Sequence, residues 1–127
     1  MRRAGPPRDV PPPLEMLCLK ALWSLGEGNV AGVRSQVAET KPLAYTTVMT
    51  LLHRLYLKGF VRRSLQTRTH YYEPAVGFAD VRDAAVSDII DHFFQGSREQ
   101  FLEFLGGHLV YEPSNGNRSA VLDETLL

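Results

Sequence analysis

A single cysteine, Cys18, stands in the 127 residues, which excludes an internal disulfide and suits a reducing, cytoplasmic setting. No apolar run approaches the roughly 18 residues of a membrane span, so no membrane insertion is expected. The basic start Met1-Arg2-Arg3 is followed by Pro-rich polar sequence, unlike a secretory signal. No Gly-rich phosphate loop, Ser-His-Asp arrangement or Cys/His cluster occurs, which leaves catalysis and any cofactor without candidate residues. The chain is therefore expected not to be an enzyme. Net charge is missing too, since fourteen Lys/Arg balance fourteen Asp/Glu. As a total, that balance argues against nucleic acid, whose partners are usually basic.

The distribution of charge reverses this inference. Residues 1–76 carry eleven basic and five acidic side chains, or +6, whereas residues 77–127 carry three basic and nine acidic ones, or −6. Such asymmetry points to a basic working surface joined to an acidic module with another task. The length accommodates one domain with an appendage, and the 44% apolar content is that of a folded chain.

Residues 1–13 contain five prolines and read as a flexible or extended arm, to which Arg2, Arg3 and Arg8 add charge. Leu14, Leu17, Cys18, Ala21, Leu22 and Leu25 recur at helical spacing up to Gly26, with Cys18 as a core residue. Val30 then reads as a brief strand. A second helix is expected over Gly32 to Thr40, burying Val33 and Val37 and stopped by Pro42. A third runs from about Ala44 to Lys58, with Val48, Leu51, Leu52 and Leu55 as its apolar stripe and Gly59 as its stop. Residues 60–65 and 69–73 form two β-prone runs around Gln66-Thr67-Arg68, a hairpin with a basic tip. Beyond Gly77 helical patterning returns up to Gly96, and Ser97 is placed to cap a last helix through Phe101, Leu102, Leu105 and Leu109.

This order of helix, short strand, two helices and hairpin is that of a winged helix-turn-helix, a mainly α fold with a small β wing. Its third helix would lie in a DNA major groove with the wing beside it. Opposite the Val48 stripe lie Thr46, Thr50, His53 and Leu57, flanked by Thr47 and Arg54 on one side and Met49 on the other. No Asp or Glu occurs from Ala44 to Lys58. Hydroxyls near a helix start can bond phosphates or base edges, threonine methyls can meet thymine, and Arg54 can pair with guanine or hold a phosphate. The wing adds Arg62, Arg63 and Arg68. DNA contacts are thus expected at Thr46, Thr47, Met49, Thr50, His53, Arg54, Arg62, Arg63 and Arg68.

Ala44-Tyr45-Thr46-Thr47-Val48-Met49-Thr50-Leu51-Leu52-His53-Arg54-Leu55, followed by Lys58-Gly59-Phe60-Val61-Arg62-Arg63, closely resembles the BlaI/MecI penicillinase-repressor family. Trp23 and Tyr71-Tyr72-Glu73-Pro74 fit the same pattern. The resemblance implies a homodimeric transcriptional repressor whose recognition helix reads each half of a palindromic operator. By match to the family motif, Thr46, Thr47, Thr50 and Arg54 contact the operator, and Met49 occupies a further contact position. It also implies C-terminal dimerisation helices and, as an upstream partner, a membrane-bound metalloprotease sensor.

Val86, Ile89, Ile90, Phe93, Phe94, Phe101, Leu102 and Leu105 suit the dimerising role, because two short helices cannot bury so many large side chains alone; packing back onto the winged domain is the competing reading. The expected organisation is an arm over 1–13, a winged-helix domain over 14–76, a dimerisation segment over 77–111 and a tail over 112–127. The sequence departs from the family pattern at Gly106-Gly107-His108 and at 113–119, and it lacks the Asn-Phe pair of the cleavage site, which argues against control by proteolysis. It also lacks the paired C-terminal cysteines of copper-responsive relatives. Asp88 and His92 have chelating i, i+4 spacing, but a solvated helix face explains them, so no metal is expected. From the residues alone, two other uses of the fold stay open: an adaptor for protein partners, and a regulator that answers a ligand or redox signal.

Overall fold

The computed structural model describes residues 10–107. The expected contributions of Arg2, Arg3 and Arg8, of Leu109, and of the tail over 112–127 lie outside the described residues. Among the described residues, five helices and one hairpin follow in order: α1 Pro13–Leu25, α2 Val30–Val37, α3 Tyr45–Lys58, β1 Val61–Gln66, β2 Thr69–Pro74, α4 Phe78–Phe93 and α5 Arg98–Gly107. This is the mainly helical, winged architecture expected. The described residues divide into two compact units between Val86 and Ser87.

The core of the first unit is built from one face each of α1, α2 and α3, closed by Phe60, Val61, Tyr72 and Val81. On α3 the stripe of Val48, Leu51, Leu52 and Leu55 is wholly buried. On α2, Val30, Val33 and Val37 point inward. The buried face of α1 is Cys18, Leu19, Ala21 and Leu22. It is rotated from the expected one: Leu19 belongs to the core, while Leu25 at the last turn stays 42% exposed. Helix α1 begins at Pro13, inside the expected arm, because the fixed φ of proline suits the first helical position.

Val30 is a helical residue, which corrects the strand reading. The side chain of Asn29 accepts a hydrogen bond from Gly32 N at 2.8 Å and caps α2 there, so the helix opens two residues earlier than expected. The strand-like contact moves to Gly28, which exchanges two backbone hydrogen bonds with Tyr72, at 2.9 and 2.8 Å. Helix α2 ends at Val37, three residues short of Thr40. The connection to α3 is then tied by Arg34, whose Nε donates to Leu43 O at 2.8 Å, so the entry into α3 is held from α2.

At the other end of α3, Gly59 takes φ 90, and the amides of Gly59 and Phe60 turn back to carbonyls of the last helical turn. This left-handed stop aims the chain directly into β1. The hairpin pairs Val61 with Pro74 through Gln66 with Thr69, leaving Thr67 and Arg68 as a two-residue turn. Both have positive φ, 50 and 67, the conformation that matches the twist of a tight hairpin. After the hairpin, Trp23 Nε1 donates to Val76 O at 2.9 Å, and the Trp23 and Phe78 rings meet edge to face at 5.6 Å. The first turns of α4 are thereby fastened to the winged unit, and Val81 completes its core. In the second unit, Ser97 caps α5 through its Oγ, which accepts from Gln100 N at 3.1 Å. Phe94 packs on Phe101 and Phe104 with ring centroids 5.4 and 5.5 Å apart.

Candidate nucleic-acid interface

The inward stripe of α3 dictates what faces outward. With Val48, Leu51, Leu52 and Leu55 buried, 100° per residue leaves Thr46, Met49, Thr50, His53, Arg54 and Leu57 exposed and Thr47 half-buried. Ala44 supplies no side-chain cap, so the amides of the first turn have no side-chain acceptor beside Thr46 and Thr47. The helix carries no acidic residue, and Arg54 has no hydrogen-bond or ion-pair partner among the described residues. Hydroxyls and a guanidinium with no partner among the described residues share one accessible face.

The wing arginines separate according to the alternation of the strand. Arg63 turns toward α3: its Nη1 lies 3.5 Å from His53 Nδ1, and its guanidinium carbon sits 4.0 Å from the centroid of the Tyr56 ring. Arg62 projects from the opposite face of the hairpin, where Nε meets Glu73 Oε2 at 3.0 Å and Nη2 donates to Pro74 O at 3.2 Å. Arg68 is exposed at the turn. The structure thus brings His53 and Arg63 together, leaves Arg68 exposed at the tip without a partner among the described residues, and commits Arg62 to the hairpin itself. Gln66 adds a brace by donating to Glu27 Oε2 at 3.1 Å.

Two features beneath this face escaped sequence reasoning. Glu15 on α1 is buried, and its Oε1 accepts from Lys58 Nζ at 2.8 Å, which ties α1 to the last turn of α3. Tyr56 carries the Arg63 contact, although its place on the helix gave no polar signal. Cys18 is fully buried. Burial, with a smaller contribution from the nearby Glu15 charge, pushes its thiol up to about 11, so it stays a neutral core group.

The residues expected to dimerise split in exposure. Val86, Ile89, Phe93 and Leu102 are exposed, Phe93 to 72% and Leu102 to 62%. Ile90, Phe94, Phe101 and Leu105 are half-buried, Phe94 and Phe101 against one another. Phe104, which sequence patterning did not single out, joins this aromatic group. His92 Nδ1 lies 2.7 Å from the backbone O of Asp88, so its ring is engaged by its own helix. Among the described residues, no cluster of three or more His, Cys, Asp or Glu is placed to hold a metal. No helix there is long and apolar enough to cross a membrane.

A family model described as penicillinase repressor matches residues 12–112, which takes in α3, the hairpin and both later helices. The chain belongs to the penicillinase repressor family. Within this family, it is 37% identical over 78 residues to proteins named transcriptional regulator BlaI from two Mycobacterium tuberculosis strains, CDC 1551 / Oshkosh and ATCC 25618 / H37Rv. That stretch is 61% of this chain and 54% of each relative, so the chain spans about half the length of the curated relatives it matches.

Proposed function

We propose that this protein is a transcriptional repressor that binds double-stranded DNA sequence-specifically, as a homodimer on a palindromic operator in the cytoplasm. The observation that carries the reading is the acid-free outer face of α3, where Arg54 has no partner among the described residues and Arg63 of the wing is drawn alongside. Thr46, Thr47, Met49, Thr50, His53 and Arg54 would enter the major groove. Arg63 and Arg68 would meet flanking phosphates, while Arg62 stiffens the hairpin through Glu73. Family membership and the name of the mycobacterial relatives support regulation over an adaptor role. The exposed apolar residues of α4 and α5 support pairing with a second copy, at about 25 cal/mol per Å² of apolar surface covered. No Asn-Phe pair occurs in the chain, so a metalloprotease partner would have to cut at another sequence.

Two-fold pairing places the half-sites about one helical turn apart, roughly 10 bp, or a multiple of it. The test is selection of bound duplexes from a random pool, followed by titration of the selected site with wild type and Arg54→Ala. If Arg54 reads a base, the variant loses about 1–3 kcal/mol on the selected site and tolerates changes at one position. If Arg54 holds a phosphate, affinity falls on all sequences and the salt slope shrinks by about 1. An unchanged titration on both counts would sink this docking.

A further inference from the structure

We propose that Tyr56 is a positioning residue for DNA binding: its ring seats the Arg63 guanidinium against α3, so that helix and wing present one fixed cation to a phosphate. The inference rests on the DNA-binding reading and assigns a role within it to a side chain outside the expected contact set. The guanidinium carbon of Arg63 lies 4.0 Å from the Tyr56 ring centroid, well within the range in which a ring face attracts a cation. Arg63 Nη1 is 3.5 Å from His53 Nδ1, and because a guanidinium can only donate, that ring nitrogen is the acceptor side of the contact. The His53 and Tyr56 rings, one turn apart on α3 with centroids 6.4 Å apart, therefore form a shelf under a wing side chain.

The neighbouring arginine shows what this shelf accomplishes. Arg62 is bound to Glu73 and to Pro74 O, so much of its charge is already compensated within the hairpin. Among the described residues, Arg63 meets no carboxylate within ion-pair distance, and an aromatic face leaves its charge intact while restricting its motion. A free arginine at a strand would lose its rotamer freedom on meeting a phosphate; one already seated loses less. The contact also bridges elements, because Tyr56 lies on α3 and Arg63 on β1.

The experiment titrates the full chain onto a mixed-sequence duplex of about 30 bp at several salt concentrations, comparing wild type, Tyr56→Leu, Tyr56→Phe, Arg63→Ala and the Tyr56→Leu/Arg63→Ala double variant. Each phosphate contact contributes about 0.9 to the slope of log affinity against log salt. Arg63→Ala should lower the slope by about that amount per bound protomer, which is about a threefold difference between 50 and 200 mM salt. Tyr56→Leu should weaken binding at every salt concentration at unchanged thermal midpoint while keeping most of the slope, Tyr56→Phe should keep the wild-type affinity, and the double variant should match Arg63→Ala. Should Tyr56→Leu fail to fold, Tyr56→Gln takes its place. Wild-type affinity in Tyr56→Leu, or an equal further loss on the Arg63→Ala background, overturns the positioning role alone. Salt-independent binding by the wild-type chain overturns the DNA reading and the proposal with it.

Discussion

Cys18 shows how a residue's neighbours determine its chemistry. With its thiol pushed up to about 11 by burial, the folded state keeps a proton that the unfolded chain releases near its ordinary value of 9.0. This contribution to stability is fully present below about pH 9 and is lost as the pH rises toward 11, at about 1.4 kcal/mol per pH unit. Urea midpoints at pH 8 and pH 10 should show this loss in wild type and a smaller one in Cys18→Val; equal losses would mean that the thiol does not titrate with folding. The adjacent Glu15 was invisible as a structural residue, because its partner Lys58 lies 43 positions away and only packing brings the pair to 2.8 Å. Arg62 and Arg63 are chemically identical neighbours in the sequence. The pleat alone sends one to Glu73 and the other to Tyr56.

At the scale of elements, periodicity was a sound guide wherever one face of a helix meets the core. The stripe of α3 reads the same in sequence and structure because that helix has a single buried side and an unbroken run of good spacing. Helix α1 was harder. It touches α2, α3 and β2, so its buried arc depends on where those elements sit, and Leu19 enters the core while Leu25 does not. The start of α2 depended on one cap, since Asn29 satisfies an amide of the first turn and thereby recruits Val30 into the helix. The wing turn invites a direct experiment. Thr67 is β-branched and holds φ 50, a conformation that costs such residues of order 1 kcal/mol, whereas asparagine tolerates it. Thr67→Asn should raise stability by about 0.5–1 kcal/mol in urea unfolding and leave DNA affinity unchanged, since Arg68 is retained. A lower urea midpoint would show that the turn is not strained at Thr67.

For the whole molecule, the opposite charges of the two halves acquire a structural counterpart. The basic stretch supplies α1 through β2. The acidic stretch supplies α4 and α5, whose large apolar side chains include the exposed Ile89, Phe93 and Leu102. If a second copy covers these residues, Ile89→Glu with Phe93→Glu places charges where apolar contact is required. Sedimentation should then give monomer mass, and affinity for a two-half-site duplex should fall by about 100-fold or more, because the halves no longer bind as one linked unit. A dimer that survives both substitutions would assign this face to another partner.

By itself the sequence determined the composition of the outer face of α3: a helix without acids, three threonines and Arg54 opposite an aliphatic stripe, and a basic hairpin after it. Those features are local, and helical and strand periods carry them without reference to distant residues. It also determined the division of charge, which is a property of order along the chain. Tertiary structure decided which of these side chains act together. Burial of Glu15 beside Lys58, capture of Gly28 by Tyr72, and the parting of Arg62 from Arg63 all join residues remote in sequence or separate neighbours. Such choices follow from how faces pack, and no local pattern encodes them.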